Sequence, residues 1–184
     1  MLNCQFEPFP VLTTDRLLLR SLRKEDREEI FFLRSDPRVM KYINREPAVS
    51  ITEADDFIQM IQDAAAAGRS VLWGIAVREN PDTVIGNICI WQIKPELEQA
   101  EAGYVLHPEY WGRGLMQESL NAVIDYGINI MNLKRIEACL HADNTASSAL
   151  LVRCGFTLDS LFIDQDTFRG QTHHSALYSL TVKT

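Results

Sequence analysis

The stretch of sequence that decides the fold is YVLHPEYWGRGLM, residues 104–116. Its first residues end a short predicted strand, and the apolar periodicity after it predicts a helix from about Gly114 to Met131. Between them, Gly112 and Gly114 lack a Cβ, so the backbone can turn tightly and approach a ligand closely. The first turn of a helix leaves N–H groups unpaired at its positive end. The stretch therefore predicts a loop and helix N-terminus suited to a phosphate or diphosphate.

A glycine pair before a helix does not by itself identify the ligand. The stretch lacks the Lys-Ser/Thr pair with which a nucleotide P-loop binds phosphates and magnesium. It also lacks the third glycine and the local strand–helix–strand context of a dinucleotide fold. These differences disfavour a nucleotide-binding protein. A tight strand–helix turn without a ligand remains the simpler alternative at this point.

The rest of the chain surrounds this stretch with further strands and helices. Strands are predicted at 14–20, 71–77, 84–91, 101–106, 136–141, 156–163 and 174–182, with a turn at 80–82. Helices are predicted at 24–35, from the capping box at 50–53 to a stop at Gly68, at 114–131 and at 145–154. A strand–helix–strand unit among hairpin-connected strands indicates an α/β (α+β) fold. We expect a mixed, mostly antiparallel central sheet of about seven strands, with helices on both faces. Without repeats or linkers, residues 1–184 form one expected domain.

Composition excludes some classes of function. The 184 residues are 46% hydrophobic and 23% charged, as in an ordinary globular protein. The longest apolar runs fall short of the roughly 20 residues that span a membrane, and no secretion signal is recognisable, so we expect a cytoplasmic protein without a membrane partner. The net charge of −7 disfavours nucleic acid as a partner.

The cysteines and histidines give no metal pattern. Cys4, Cys89, Cys139 and Cys154 match no CxxC spacing. Cys89 and Cys139 lie in apolar strand-like runs, so we expect buried thiols. Two adjacent histidines, 173 and 174, would point to opposite faces of a strand. No metal is therefore expected.

The residues around the glycine loop resemble those of a known family. EAGYVLHPEYWGRG, residues 101–114, resembles the coenzyme A loop of the GNAT N-acetyltransferases, and its Tyr-Trp-Gly-x-Gly form is similar to the RimJ/RimL-like branch. The segments 14–20, 35–42 and 144–156 resemble that branch in the same order, so nearly the whole chain is covered. The resemblance implies a GNAT-like acyl-CoA N-acyltransferase fold and an enzyme that transfers an acetyl group from acetyl-CoA to an amine.

The resemblance also implies how acetyl-CoA is bound. Its pantetheine arm would pair with the strand that ends at Tyr104, Val105 and Leu106. Its diphosphate would contact backbone N–H groups in a run of five residues, namely Gly112, Arg113, Gly114, Leu115 and Met116. The family usually has glycine or alanine where this chain has Met116. Arg113 would add charge to a phosphate or remain a solvated loop arginine, and Asn144 would contact the cofactor, cap a helix, or do both.

Three residues are candidates for catalysis. The serine of the Asn-x-x-Ser motif, Ser147, would protonate the departing thiolate. The alternative is a first-turn helix residue that satisfies backbone N–H groups, and the catalytic role is favoured. The tyrosine that many relatives place seven residues after the asparagine is Leu151 here. Glu101, on the cofactor strand, would act as the base or be an exposed strand-end carboxylate. His107 would be an alternative base or an exposed loop residue. A backbone N–H near Val105 would stabilise the oxyanion.

The acceptor is an amine, either a protein N-terminus as in RimJ/RimL-like enzymes or a small molecule. It would be recognised by the segments 40–50 and 164–174. A non-catalytic acyl-CoA-binding regulatory module is the alternative function, suggested by Met116 and by the missing helix tyrosine. Homodimers are common in the family, and no feature of this sequence requires one.

Overall fold

The elements follow the predicted order over residues 2–165, 170 and 172–182, the part of the chain that the computed structural model describes. Eight strands and five α-helices occur within these residues: β1 (Leu12–Thr13), β2 (Leu17–Arg20), α1 (Arg27–Ser35), α2 (Pro37–Met40), α3 (Ile51–Ala66), β3 (Val71–Val77), β4 (Asn80–Lys94), β5 (Gln99–Leu106), α4 (Leu115–Asn129), β6 (Arg135–His141), α5 (Thr145–Arg153), β7 (Thr157–Gln165) and β8 (Thr172–Thr181). The additional strand, β1, has two residues, too few to give a sequence pattern.

The strands form one sheet in the order β1-β2-β3-β4-β5-β6-β8-β7. Every neighbouring pair is antiparallel except β5 and β6, which are parallel. A parallel pair needs a long crossover, and α4 provides it. The predicted mixed, mostly antiparallel sheet is therefore confirmed.

Helices cover both faces of the sheet because side chains alternate along each strand. In β3, Trp73 joins the larger core cluster, which includes Leu120 of α4 and Leu151 of α5. The neighbouring residue Leu72 instead packs against the smaller cluster, which contains Ile30 of α1 and residues of α3. The two clusters lie on opposite faces, as the sequence predicted.

The hairpin between β3 and β4 turns earlier than predicted. Val77 pairs with Asn80, so the turn residues are Arg78 and Glu79, and the predicted turn at 80–82 lies inside β4. Register shifts at the end of β3 show an irregular ladder there, where a proline is tolerated. The carbonyls of Pro81 and Asp82 are also held by Arg20, at 2.9 and 3.1 Å.

A buried ion pair fixes the entry to α1. The Arg20 guanidinium donates two hydrogen bonds to Asp26, at 2.8 and 2.7 Å, and both side chains are almost fully removed from solvent. Asp26 also accepts from the backbone N–H of Arg23 at 2.6 Å. The pair therefore joins β2, the start of α1 and the end of the β3–β4 hairpin.

Candidate active site

An open strand edge lies at the centre of the sheet. The parallel pairing of β5 with β6 covers only Gln99 to Glu101, which face Arg135 to Glu137. Within the described part of the chain, the remainder of β5 pairs only with β4, through Leu106. The two parallel strands therefore separate after three residues and leave one side of β5 available to a ligand.

The backbone groups on this open edge can be assigned. His107 donates its backbone N–H to Ile85 in β4 at 2.8 Å, so His107 faces β4. Since backbone direction alternates along a strand, Val105 also faces β4, whereas Tyr104 and Leu106 face the opening. The Leu106 carbonyl accepts a hydrogen bond from Trp111 Nε1 at 2.7 Å. The backbone N–H groups directed at the opening are therefore those of Tyr104 and Leu106. They flank Val105, near which the sequence predicted an N–H that stabilises the oxyanion.

The glycine loop and the start of α4 form an anion-binding end. Gly112 and Gly114 both have a φ of 73°, a left-handed conformation that favours glycine. Gly114 is the N-cap of α4 and provides no side-chain hydrogen bond. Among the described residues, the N–H groups from Gly112 to Met116 have no protein acceptor. They are available to an anion at the positive end of a 15-residue helix.

Met116, the residue that departs from the family pattern, points into the core. Its side chain is 8% exposed and packs with the larger cluster, like that of Leu115. The methionine therefore lies on the side of α4 that faces the sheet. Its backbone N–H remains in the row that a diphosphate would contact.

A groove of about 610 Å³ adjoins this helix end. Three arginines line it, Arg16, Arg78 and Arg113, together with the carboxylates of Asp15 and Glu79. Arg16 is held by Glu118 at 2.7 Å and donates to the Arg113 carbonyl at 3.0 Å, which fixes the loop against β2. Arg113 is exposed, and its guanidinium lies over the Tyr110 ring. The groove therefore brings charged groups of both signs beside the free amides, with the Arg113 guanidinium on the glycine loop itself.

Two hydroxyl groups meet across the opening. Tyr104 Oη and Ser147 Oγ are 2.7 Å apart, which links β5 to the first turn of α5. Asn144 is the N-cap of α5, and its side chain accepts from the Ser147 N–H at 3.2 Å. Burial raises the pKa of Tyr104 to about 12, so this hydroxyl stays protonated at neutral pH. Ser147 is therefore fixed through both its backbone and its side chain.

Glu101 occupies an unusual environment at the other end of β5. Burial, together with the negative charge of Glu137 on β6, raises the pKa of Glu101 to about 7. Lys94 and a hydrogen bond with Trp91 offset part of this effect. Glu137 faces Glu101 directly in the parallel register and is held by Arg135 at 2.9 Å. Glu101 can therefore exchange a proton near neutral pH.

His107 lies apart from Glu101. It is six residues further along, roughly 20 Å at strand spacing. Its ring stacks on Phe32 of α1 with centroids 4.3 Å apart, and its Nδ1 accepts from the Glu109 N–H at 3.2 Å. The two candidate bases therefore cannot act at the same point. Tyr104 lies between them along the chain, but its side chain points to the opposite face of the sheet.

The expected acceptor segments meet beside β6. Tyr42 contacts the His141 ring at 5.4 Å, and His141 stacks on His173 at 4.8 Å. Asn44 donates to the Gln165 carbonyl at 3.3 Å. The middle of the second segment, residues 166–169 and 171, lies outside the described residues.

Cys139 is exposed, so the expected buried thiol at this position is wrong. The reason is the separation of β5 and β6, because Cys139 lies two residues beyond the last parallel pair on the face of Glu137. Cys89 is partly buried, and all four cysteines are free. Within residues 2–165, 170 and 172–182, no three His, Cys, Asp or Glu residues are grouped to bind a metal. No helix in those residues has the length and apolarity to cross a membrane.

Two contacts of the candidate catalytic residues were not predicted from the sequence. Tyr104 was assigned only to cofactor binding, because the contact with Ser147 joins residues 43 positions apart and depends on tertiary packing. Glu137 was given no role from the sequence. The parallel register that places it beside Glu101 cannot be predicted from the sequence pattern of either strand.

Comparison with known proteins identifies the family. Residues 16–157 match the model of the acetyltransferase (GNAT) domain. The chain is 37% identical to the uncharacterized N-acetyltransferase p20 of Bacillus licheniformis, over 92% of this chain and 94% of p20. It is 25% identical to the spermidine N(1)-acetyltransferase of Vibrio cholerae, over 85% of this chain and 87% of that protein.

Solved structures share the architecture. The structure of RimL, a ribosomal L7/L12 α-N-protein acetyltransferase in complex with coenzyme A, superimposes with a TM-score of 0.84. The match covers 94% of this chain and 97% of RimL, at 20% identity, and therefore shows the fold alone. Together with the family match, these findings show that the chain belongs to the GNAT acetyltransferase family and is an N-acetyltransferase.

Proposed function

We propose that this enzyme transfers the acetyl group of acetyl-CoA to a primary amine by direct attack in a ternary complex. The observation that carries the proposal is the row of free amides from Gly112 to Met116 next to the open edge of β5. These amides fit a diphosphate, and the edge fits the amide-containing pantetheine arm. The space beside Gly112 is open, because a Cβ built on this glycine would meet no atom within 4 Å. The loop surface is therefore clear for a ligand.

Residues of the chain stabilise the oxyanion and accept the proton of the amine. Acetyl-CoA supplies an activated thioester carbonyl. The amide of Tyr104 faces the opening and can stabilise negative charge that develops on the carbonyl oxygen. Holding both substrates in one opening supplies much of the rate acceleration. Glu101 accepts the proton of the amine, through water, because it lies roughly 10 Å along the strand from Tyr104.

Ser147 donates a proton to the departing thiolate and regains one from solvent water, which restores the serine hydroxyl. The 2.7 Å contact with Tyr104 allows either hydroxyl to donate; in this mechanism Tyr104 donates to Ser147 Oγ, which leaves the serine proton free to point toward the opening. The Ser147 hydroxyl replaces the tyrosine that many relatives carry one turn later in the same helix, where this chain has Leu151. Met116 is buried and leaves its N–H available, and Ser147 takes the place of the missing helix tyrosine. These two features therefore no longer favour a non-catalytic module.

Glu101 is favoured over His107 as the base. The ring of His107 is stacked on Phe32, and one of its nitrogens already accepts a backbone hydrogen bond. The acceptor class follows less directly. A RimJ/RimL-like protein N-terminus and a small-molecule amine are the two candidates, and the RimL-like fold and the spermidine-acetylating relative each support one of them.

Thiol release tests the proposed reaction. The protein should release free coenzyme A from acetyl-CoA when a panel of peptides and small amines is supplied, and acetylated amine should appear in equal amount. If protein that binds coenzyme A releases no thiol with any amine of a broad panel, the transfer reaction is rejected.

Replacing Ser147 by alanine should lower kcat by about 10²-fold, the usual contribution of a positioned proton donor. Tyr104→Phe should lower kcat less, because the serine proton is retained but not oriented. Both variants should bind acetyl-CoA almost as well as the unaltered enzyme. Steady-state thiol release and calorimetry measure the two effects separately.

Ser148→Ala is the matched control. Ser148 lies in the same turn of α5, but its hydroxyl donates to the Asn144 carbonyl at 3.3 Å instead of facing Tyr104. It should leave kcat unchanged. Equal rates for Ser147→Ala and Ser148→Ala would remove Ser147 from the mechanism.

A further inference from the structure

Trp91 is a tryptophan that the core does not use. It is 42% exposed, although it lies on β4, a strand at the centre of the sheet. The two core clusters found among the described residues contain Trp73 but not Trp91. An indole combines a large apolar body with one polar N–H, which usually finds a hydrogen-bond partner. Packing therefore does not account for this side chain.

The backbone presents Trp91 beside Glu101. The two residues are direct cross-strand partners in the antiparallel pair of β4 and β5, so their side chains leave the sheet on the same face. The ladder becomes irregular immediately after this pair, with a register shift before Lys94. Gln92, inside the shift, has a φ of 47°, a left-handed conformation that is uncommon outside glycine. Irregularities of this kind re-aim side chains and are frequent next to active sites, and this one adjoins the candidate base.

The indole lies across β5. A Cβ built on Gly103 would be 3.6 Å from Trp91 Nε1, so the N–H end of the ring reaches over this glycine. Positions 103 and 101 lie on the same face of β5, two residues apart. The indole N–H interacts with the Glu101 side chain there and favours its charged form. The missing side chain of Gly103 leaves room for this arrangement.

The other charged and titratable groups around Glu101 can be assigned. Among the described residues, β4 provides Lys94, whose charge favours the carboxylate, and β6 provides Glu137, whose charge opposes it. The thiols of Cys89 and Cys139 also interact with Glu101, but burial raises their pKa values to about 12 and about 11, so both stay neutral up to pH 9. The indole N–H does not titrate, and it is therefore a constant donor over this range.

We propose that Trp91 is a positioning residue for the general base, because its indole N–H holds the Glu101 carboxylate in the orientation that accepts the proton of the amine. The proposal rests on the proposed function, since it concerns the base of that reaction. Solvent reaches this face of the sheet, because Trp91 and Cys139 are both exposed. Trp91 acts through Glu101 and needs no contact with coenzyme A.

Trp91→Phe tests this role, because phenylalanine keeps an aromatic ring but has no N–H. The variant should lower kcat about tenfold even at pH 9, with little change in KM, as expected when a hydrogen bond to a charged group is lost. The rising limb of its pH profile should also move to higher pH, because the carboxylate loses a donor that favours it. Lys94→Met is the matched control. It removes a favourable charge but not the orientation, so the limb should move in the same direction while kcat at pH 9 is retained.

A double variant shows whether Trp91 acts through Glu101. In a Glu101→Gln background, Trp91→Phe should lower the remaining kcat/KM by less than about twofold, because no base is left to position. A full loss in that background would mean that Trp91 acts independently, and it would overturn the inference. An unchanged kcat and an unchanged limb in the single variant would overturn it as well.

A spectroscopic measurement requires no turnover. The chain has three tryptophans, so its proton–nitrogen correlation spectrum should contain three indole signals, and Trp91→Phe identifies the one from Trp91. This signal should shift with a midpoint at about pH 7, where Glu101 ionises, and the shift should be lost in Glu101→Gln. An indole signal that stays constant between pH 5.5 and 9 contradicts the contact, even in protein that has no activity.

The outcomes separate the two proposals. If Glu101→Gln retains both the rate and the rising limb, the base is wrongly assigned, and the inference falls with it. If Glu101→Gln loses both while Trp91→Phe matches Lys94→Met at every pH, Glu101 remains the base and Trp91 is not its positioning residue.

Discussion

Replacing Glu101 by glutamine should lower kcat/KM for amine acetylation by about 10²–10⁴-fold, the range typical of a general base. Glutamine keeps the size and the hydrogen-bonding ability of the side chain but cannot accept the proton. The pH profile should change as well. The pKa of Glu101 is raised to about 7, so its carboxylate form, and with it activity, increases as pH rises through 7. Rate measurements from pH 5.5 to 9 should show this rising limb in the unaltered enzyme and lose it in Glu101→Gln.

Two further variants identify the source of that limb. Glu137→Gln removes the negative charge that opposes ionisation of Glu101, so the limb should move to lower pH. His107→Asn should leave the limb in place. If instead the limb disappears with His107→Asn and persists in Glu101→Gln, His107 is the base and the role assigned to Glu101 is wrong.

Replacing Asp26 by alanine should destabilise the fold by about 3–5 kcal/mol, because it leaves the Arg20 guanidinium buried without its partner. The lost contacts include two short hydrogen bonds to Arg20 and one from the Arg23 N–H. Urea unfolding should give this difference in free energy, and the unfolding temperature should fall by on the order of 10 °C.

Asp82→Ala provides the comparison. Asp82 forms an ion pair of similar length with Arg23, at 2.9 Å, but both side chains are exposed. Its loss should cost less than about 1 kcal/mol. If Asp26→Ala and Asp82→Ala destabilise the protein equally, the buried pair is not the anchor of α1.

Much of the fold could be predicted because it depends on local patterns. The alternation of Val71, Trp73 and Ile75 identifies a strand with one face in the main core, and the structure buries all three. The apolar periodicity after Gly114 identifies α4 to within two residues at its C-terminal end. The β3–β4 turn was misplaced by two residues, because proline and asparagine suggest a turn even where an irregular ladder accepts them.

The candidate site could be predicted only in part, for a physical reason. The glycine loop is a local signal, and its free amides follow from helix geometry. The contact between Tyr104 and Ser147, residues 43 positions apart, depends on how α5 returns to the sheet. The neighbourhood of Glu101 depends on one parallel register. Such contacts arise from tertiary packing, which no local pattern encodes.

Titration calorimetry with coenzyme A tests the central claim most directly. The unaltered protein should bind one coenzyme A per chain. Gly114→Ala, which adds a Cβ at a φ of 73° in the anion-binding loop, should weaken binding by about tenfold. Gly155→Ala, at a φ of 89° after α5, carries a similar backbone penalty and should bind normally. Folded protein that shows no heat of binding with coenzyme A, or equal affinity in both variants, would contradict the account.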